Sequence, residues 1–412
     1  MKKKLLFLVH RLPFPPNKGD KITSFNLLRY LAQRYQVYLG TFVDDPEDQQ
    51  YVEKVRGYCT DTCIETLDPG RAKITSLRGL LTGEALSLPY LRNRRLADWT
   101  RSVIREQQPH AILIFSSPMA QYVDGLVPDT CSTVFDMEDV DSEKWRSYGQ
   151  KKRWPMNWVY AREADKLLAY ERRMAANTDV SVFVSADEAS LFASLAPECA
   201  ARTTYRTQGV DSDFFDPQRD YDNPYSPDSL PLVFTGAMDY WPNIEAATWF
   251  ASEVFPRVRE RRPQAEFYVV GMRPSAEVTR LGDLPGITVT GGVPDVRPYL
   301  AHARSAVLPL HIARGIQNKA LEAMAMELPI VATPQAMVGI EHDEDFEARI
   351  ADQPQAFAEA VLGVLASPPA PERRGRSSVL ARYNWDANLR LIENLLESQP
   401  IPADRRIGGN TP

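Results

Sequence analysis

The sequence predicts an α/β protein made of two domains, each with a parallel sheet. Its 412 residues are about twice the length of a typical domain. In both halves, short apolar runs that suit buried strands alternate with helix-like runs, which is typical of βαβ units. A cluster of Pro, Asp, Tyr, Asn and Ser at 216–231 separates the halves, and such a cluster predicts a linker.

Composition and charge exclude several other classes of protein. With 44% hydrophobic residues the chain can build two cores, and its net charge of −6 argues against a dedicated nucleic-acid binder. Four cysteines in so long a chain do not form a disulfide framework, so we expect free thiols in a reducing compartment. The apolar run Leu5–Val9 is too short for a signal peptide. Because no stretch approaches the roughly 18 apolar residues that span a bilayer, we predict a soluble, cytoplasmic protein.

The first half contains the elements of one domain. The predicted strands are Leu5–Val9, Val37–Phe42, Ala111–Phe115, Thr133–Asp136 and Val180–Val184, and the predicted first helix is Lys21–Gln33. Residues 77–107 are helix-like, but glycine and proline interrupt them.

A glycine loop at 15–21 joins the first strand to the first helix. Such a loop can bind an anion at the helix N-terminus, with Asp20 as a cap and with Lys18 and Lys21 as charges around Gly19. A plain strand-to-helix turn is the alternative. The loop has no G-x-G-x-x-G pattern, so a dinucleotide fingerprint is not supported. His10 ends the first strand, where it can contact a ligand or serve a structural role.

Five carboxylates lie between Phe135 and Trp145, just after a predicted strand. At that edge of a sheet, carboxylates can bind acceptor hydroxyls or help to deprotonate one, and we select Asp139 and Asp141 for this role. A metal site is one alternative, although no histidine joins the cluster. The other alternative is a solvated helix start with acidic residues that the helix dipole favours.

A basic and aromatic run follows at 144–162, with six Lys or Arg residues, no acid, and interspersed Trp and Tyr. This composition suits the headgroup zone of an anionic membrane. It also suits single-stranded nucleic acid, or a surface helix pair with buried aromatics.

The second half restarts the alternation of strands and helices. The predicted elements are strand Leu232–Thr235, helix Asn243–Arg259, strands Ala265–Gly271 and Ile287–Thr290, a helix from Asp295, strand Ala306–Leu310, a helix from Gln317 or Asn318, and strand Pro329–Thr333. A helix-like run, Trp385–Leu396, precedes a tail at 399–412 that we predict to be disordered.

The helix that begins near Gln317 predicts a nucleotide-diphosphate site. Its N-terminus lies at the carboxyl edge of a parallel sheet, where backbone N–H groups and the helix dipole attract phosphates. Lys319 adds a point charge, and Glu322, three residues later on the same face, can accept hydrogen bonds from two ribose hydroxyls. An ordinary amphipathic helix with a surface Lys–Glu pair is the alternative.

Two motifs carry a resemblance to a known family. The run Asn318-Lys319-x-x-Glu322-x-Met324-Ala325, followed by Pro329-x-Val331, resembles the donor-binding signature of glycosyltransferase family 4, whose fold is GT-B. Gly209-Val210-Asp211, with Phe215 and Pro217 after it, resembles the hallmark at the domain junction of that family. The resemblance implies two Rossmann-like domains that face each other across a cleft, with the last helix crossing back to the first domain.

The chain departs from the family pattern at three positions. Arg314 stands where the first of two glutamates is usual, and Glu327 replaces a glycine. The stretch Thr235–Asn243 lacks the Arg and Lys that clamp the donor diphosphate. Its Met-Asp-Tyr-x-Pro-Asn form resembles sugar transferases of the bacterial PEP-CTERM (exosortase) exopolysaccharide system.

This resemblance implies the residues of the donor site. It gives catalytic roles to Arg314, Lys319 and Glu322, and a cation at Arg314 indicates either an acidic donor sugar or a clamp on the β-phosphate. The donor-binding set is Gly19, Lys21, Gly236, Arg297, Gly315, Ile316, Gln317 and Asn318, and the acceptor-side set is His10, Asp139 and Asp141.

From these inferences we expect a retaining glycosyltransferase that moves a sugar from a nucleotide-sugar donor to a lipid-linked saccharide at the inner face of the plasma membrane. No metal, cofactor or nucleic acid is expected. The predicted domains are 1–210, completed by a helix at about 380–398, and 211–375. A non-catalytic nucleotide-sugar binder and a GT-B epimerase remain the alternatives.

Overall fold

The structure, a computed structural model, describes residues 2–150, 152–313, 315–343, 346, 348–366 and 375–400. These residues divide into two compact units. Unit 1 contains the residues up to Arg206 together with those from Asp386 onward, and unit 2 contains Thr207–Trp385. Arg314 and residues 401–412 of the predicted tail lie outside the described residues.

Unit 1 is built on a parallel sheet. Its strands are β1 (Lys4–Val9), β2 (Gln36–Val43), β3 (Asp61–Thr66), β4 (Ala111–Phe115), β5 (Ser132–Glu138), β6 (Val180–Phe183) and β7 (Thr203–Tyr205). In the part of the chain described, the sheet has seven strands in the order β3-β2-β1-β4-β5-β6-β7. Leu5 pairs with Val37 on one side and with Ala111 on the other. The central strands read as continuous apolar runs because both faces of the sheet are buried.

The helices of unit 1 connect these strands. They are α1 (Gly19–Ala32), α2 (Val52–Arg56), α3 (Pro69–Ser76), α4 (Arg78–Thr82), α5 (Ser87–Tyr90), α6 (Arg94–Ser102), α7 (Asp141–Gln150), α8 (Met156–Asn177) and α9 (Ala186–Leu195).

Unit 2 is built on a second parallel sheet. Its strands are β8 (Leu230–Thr235), β9 (Ala265–Val270), β10 (Ile287–Gly291), β11 (Ser305–Leu308), β12 (Ile330–Ala332) and β13 (Ala348–Ile350). Among the described residues these are six strands in the order β10-β9-β8-β11-β12-β13. The helices are α10 (Trp241–Trp249), α11 (Phe255–Arg261), α12 (Ala276–Leu281), α13 (Arg297–His302), α14 (Asn318–Ala325), α15 (Pro354–Ala366) and α16 (Gly375–Arg382).

The last helix, α17 (Trp385–Leu396), returns to unit 1. Tyr30 donates a hydrogen bond to Glu393 at 2.5 Å, and Tyr35 donates one to Glu397 at 2.6 Å. The hydroxyl of Ser132 donates to the carbonyl of Leu395 at 3.3 Å. The two parallel-sheet domains and the returning helix confirm the predicted GT-B fold class.

The segment at 216–231 lies inside unit 2, so the prediction that it is a linker between the domains was wrong. Tyr225 is buried, and its hydroxyl donates to the carbonyl of Tyr299 at 2.6 Å. The Tyr225 ring also packs edge-on against Tyr268, with 4.7 Å between ring centroids. The aromatic residues among the prolines therefore anchor this segment to the core of unit 2.

Candidate functional site

The candidate site lies at one edge of the sheet of unit 2. Strands β8 and β11 pair in parallel, so both end at the same edge. Gly236 follows β8 directly, and a loop after β11 leads to the first residue of α14, Asn318. In open parallel sheets, ligands bind at this carboxyl edge.

Lys319 is held in place by side chains from two other elements. Its Nζ donates to Oδ1 of Asn243, on α10, at 2.6 Å, and lies 4.5 Å from the ring centroid of Phe234, on β8. Asn243 is buried, and its Nδ2 donates to the carbonyl of Ala237 at 2.9 Å. Because its oxygen faces the ammonium, Asn243 fixes the position of the charge at the end of β8.

Gly236 leaves the space that this arrangement needs. A Cβ at this position would lie 2.8 Å from Asn243 Nδ2 and 3.1 Å from Lys319 Nζ, and its φ of +152° is one that L-residues rarely adopt. A Cβ on Gly271 would in turn lie 1.6 Å from the Gly236 carbonyl oxygen. Both glycines are therefore required for this close approach of backbone and ammonium.

The N-terminus of α14 has no side-chain cap among the described residues. Gln317 occupies the cap position, but its side chain makes no capping hydrogen bond. The Oδ1 of Asn318 is buried and has no hydrogen-bond partner within the described chain. Ile316 is buried against the core, and Gly315 adopts a left-handed φ of 61°. The first N–H groups of the helix thus remain available to an anion.

Glu322 lies one turn along α14, on the same face as Lys319. Its carboxylate makes no hydrogen bond to the described residues, and burial raises its pKa to about 7. Burial also lowers the pKa of Lys319 to about 7, although the neighbouring Glu322 opposes that shift. Both ionisable groups are thus partly desolvated, as at sites that take up a charged ligand.

The other end of α14 explains one departure from the family pattern. Glu327 adopts a left-handed φ of 55°. Its N–H donates to the Met324 carbonyl, and the N–H of Leu328 donates to that of Ala323. This is the hydrogen-bond pattern of a helix end at which glycine is the usual residue. Glu327 therefore holds a left-handed backbone conformation that is strained for glutamate but not for glycine.

Arg297, predicted to help to neutralise the donor diphosphate, is already paired. Its Nε and Nη2 donate to the carboxylate of Asp295 at 2.7–3.0 Å, and its guanidinium lies 3.8 Å above the Phe214 ring centroid. Pairing with Arg297 lowers the pKa of Asp295, which therefore stays ionised and offsets the cation. The Arg297 charge is therefore already neutralised by Asp295.

One of the two lysine charges in the predicted anion loop of unit 1 is not available to a phosphate. Gly19 begins α1 with no side-chain cap. Lys21, 2% exposed, pairs with the buried Asp48 at 2.7 Å. Asp20, the predicted cap, instead pairs with Arg11 at 2.7 Å and places a carboxylate in the first turn. The prediction of free lysine charge in this loop was wrong for Lys21.

His10 joins Asp20 at the end of β1. Its Nε2 lies 3.0 Å from the Asp20 carboxylate, and its ring stacks on Phe115 with 6.1 Å between centroids. Its Nδ1 is buried and has no partner within the described residues. Although burial opposes it, the charge of Arg11 helps to hold the pKa of Asp20 well below its usual range.

The acidic cluster at the end of β5 is partly structural. Asp136 is fully buried and bound by Arg206 at 2.8 Å, so it is not a ligand group. Burial raises the pKa of Asp141, the first residue of α7, while the charges of Lys144 and His10 lower it. Asp139 follows β5 directly.

Sequence reasoning missed three neighbours of the predicted donor residues. Asn243 lies within the Thr235–Asn243 motif, yet no role was assigned to it. Glu245, two residues later, lies 3.5 Å from Nδ1 of His311, which packs edge-on against Trp249. These contacts join α10 to the loop after β11, and nothing in the local sequence of either element indicates them.

The described residues show neither a cluster suited to a metal ion nor a membrane-spanning helix. No group of three or more His, Cys, Asp or Glu residues is arranged to hold a metal ion there. None of the described helices is both long and apolar enough to cross a membrane. The absence of a metal or cofactor requirement stays a prediction.

Comparisons with known proteins give a family match to part of the chain and a set of structures with a similar fold. Residues 230–367, which contain the site, match the family model described as Glycosyl transferases group 1. This match, over residues 230–367, supports a glycosyltransferase. A search of curated proteins found no match.

Solved structures share the fold over nearly the whole chain. Sucrose-phosphate synthase from Thermosynechococcus elongatus is 18% identical, with a TM-score of 0.69 over 96% of this chain and 98% of that one. HepE from Anabaena, solved with UDP and glucose, is 14% identical, with a TM-score of 0.63 over 96% and 100%. A glycosyltransferase from Rickettsia africae is 13% identical, with a TM-score of 0.64 over 96% and 98%. At these identities the likeness shows the GT-B fold.

Proposed function

We propose that the protein transfers a sugar, with retention of anomeric configuration, from a nucleotide-sugar donor to a lipid-linked saccharide in bacterial exopolysaccharide synthesis. The observation that carries the donor part is the grouping of Lys319, Asn243 and Gly236 beside the uncapped start of α14. The finer steps rest on the family resemblance of the sequence. The HepE structure, solved with UDP and glucose, supports a nucleotide-sugar donor.

In this proposal the protein stabilises the charge that develops on the leaving diphosphate. The Lys319 ammonium and the free N–H groups of Asn318 and Lys319 face the phosphates, and Glu322 accepts hydrogen bonds from the ribose hydroxyls. Arg314 supplies a second cation, to the β-phosphate or to an acidic sugar. Fixed donors of this kind need no reorganisation during the reaction, and typically contribute about 3 kcal/mol each to the lowering of the barrier.

The acceptor side is assigned to unit 1. His10, Asp139 and Asp141 lie at the carboxyl ends of β1 and β5, where hydroxyl groups can hydrogen-bond to them. Gly19 lies at the start of α1 near this cluster, whereas Lys21 and Arg297 have no part in the proposal.

The test is a turnover assay with a panel of nucleotide sugars and lipid-linked saccharide acceptors. We expect one donor to be consumed only when an acceptor is present, and the product to keep the anomeric configuration of the donor by NMR. Lys319→Met and Glu322→Ala should each lower kcat/KM at least about 100-fold. Turnover without an acceptor would indicate the epimerase, and binding without any turnover would indicate the non-catalytic binder. Inversion of configuration would contradict the retaining mechanism.

A further inference from the structure

Large hydrophobic side chains are exposed at one region of unit 1. Among its described residues, eight large hydrophobic side chains are exposed, and all but Tyr205 fall in two short segments. The seven form what we call the apolar surface: Ile74, Leu77, Leu80, Leu81, Trp154, Met156 and Trp158. Leu81 is 91% exposed, Trp154 81% and Ile74 71%. Single exposed apolar residues are ordinary, but a cluster of this kind marks an interaction site.

The two segments are neighbours in the fold. Arg162, on α8, donates from Nη2 to the carbonyl of Gly79 at 2.6 Å and from Nη1 to that of Glu84 at 3.1 Å. Gly79 lies in α4, between Leu77 and Leu80. Trp158 precedes Arg162 by four residues, which is about one helical turn, on the same face of α8. The apolar residues of α3 and α4 therefore lie next to those at the start of α8.

The exposure follows from how these helices pack. In α3 the buried residues are Ala72 and Ser76, and in α4 the buried residue is Gly79, so their large side chains point outward. The buried residues of α8 begin at Glu163, so the first turns of this 22-residue helix extend beyond the core. Small residues face inward and large apolar ones face solvent, which is the reverse of the usual pattern for a solvated helix.

Basic residues surround the apolar surface. Residues 69–82 contain three Lys or Arg and no acid, and residues 144–162 contain six and no acid, in a chain whose net charge is −6. Lys73, Arg78 and Arg153 are exposed. The acids that flank residues 69–82 are engaged, because Asp68 caps α3 and Glu84 pairs with Arg92. In the second segment, Arg146 is paired with Glu143 and Asp165 and does not add to the free charge. The apolar surface thus combines exposed hydrophobic side chains with a surplus of positive charge.

We propose that the apolar surface docks on an anionic lipid bilayer. Leu81, Trp154 and Trp158 enter the headgroup zone, while Lys73, Arg78 and Arg153 contact anionic headgroups. Helices α3 and α4 are part of this surface although the sequence at 69–82 did not suggest it. The inference does not depend on the transferase activity, since vesicle binding and sugar transfer are measured separately.

The test is co-sedimentation of the full chain with vesicles of phosphatidylcholine, with or without phosphatidylglycerol. We expect binding only with the anionic lipid, and expect it to weaken as salt is added. Leu81→Ser combined with Trp158→Ser should lower the partition coefficient at least about tenfold. Arg78→Gln combined with Arg153→Gln should lower it about 25-fold, at about fivefold for each charge.

Matched variants separate membrane docking from loss of folding. Leu380 and Arg280 are exposed residues of unit 2, outside the apolar surface. The control variant Leu380→Ser with Arg280→Gln removes the same kinds of side chain there, and it should leave vesicle binding unchanged. Trp154→Phe with Trp158→Phe should keep binding but remove most of the quenching of tryptophan fluorescence by brominated lipids. Failure of the wild-type chain to bind anionic vesicles would overturn the proposal. The proposal would also be overturned if the wild-type chain dimerised as its concentration rose, if Leu81→Ser abolished that dimerisation, and if the chain did not bind vesicles. A second copy of the chain would then cover the apolar surface.

Discussion

Binding of a nucleotide sugar should change the number of bound protons, with opposite signs on the two sides of pH 7. Burial lowers the pKa of Lys319 from 10.5 to about 7 and raises that of Glu322 from 4.5 to about 7. A diphosphate beside Lys319 favours the charged ammonium and raises its pKa. Ribose hydroxyls that donate to Glu322 favour the carboxylate and lower its pKa.

The magnitude follows from these two values. At pH 8, about nine-tenths of Lys319 is neutral in the free protein and about one-tenth of Glu322 is protonated, so binding takes up roughly 0.8 proton per chain. At pH 6 the proportions are reversed, and binding releases roughly 0.8 proton. The two groups interact, so these proton counts belong to the pair, and their sign changes near pH 7.

The assay is isothermal titration calorimetry in buffers of different ionisation enthalpy, at pH 6 and at pH 8, without acceptor. A nucleotide sugar is the right ligand because the terminal phosphate of a free nucleoside diphosphate titrates at about pH 6. Lys319→Arg keeps its charge throughout and should abolish the uptake at pH 8. Glu322→Gln should abolish the release at pH 6. A binding enthalpy that is independent of buffer at pH 8, or an unchanged uptake in Lys319→Arg, would refute this account of the site.

Three further substitutions test other parts of the structure. Asn243→Ala removes the hydrogen bond that positions the ammonium, and calorimetry should show nucleotide binding about 5- to 30-fold weaker. Gly236→Ala should weaken nucleotide binding at least about tenfold, because the new Cβ would collide with Asn243. Gly291→Ala is the control: its φ is also positive, but a Cβ there meets no other atom, so we expect a loss of only about 1–2 kcal/mol of stability. Lys21→Met should lower the free energy of unfolding by about 3–5 kcal/mol in urea titrations, because it leaves Asp48 buried and unpaired, yet leave nucleotide affinity unchanged. A loss of nucleotide affinity in that variant would return Lys21 to the site.

The fold followed from the sequence wherever burial leaves a clear pattern. The Ala111–Phe115 run is a strand with the predicted bounds, because a strand buried on both faces is apolar throughout. The strand β3 was missed because it lies at the edge of the sheet and is only partly buried, so it shows neither an apolar run nor a clear alternation. The three residues of β13 are too few to carry any periodic pattern.

At the site, the sequence predicted local relations better than distant ones. Lys319 and Glu322 share a face because they are three residues apart on one helix, which spacing alone can show. Asn243, which holds the ammonium, is 76 residues away from Lys319, and only the packing of the sheet brings it there. Lys21 illustrates the opposite error. Its place in the loop predicts a ligand group, but in the structure it is buried and paired with Asp48.

The measurement that tests the central claim most directly is nucleotide binding to the wild-type chain and to Glu322→Ala. A panel of nucleoside diphosphates and nucleotide sugars would be titrated into both proteins by calorimetry. The account predicts that one nucleotide binds the wild type and binds Glu322→Ala at least about tenfold more weakly, since hydrogen bonds to the ribose are lost. Equal binding by the two proteins, or no binding of any nucleotide to a folded wild-type chain, would contradict a donor site at the start of α14.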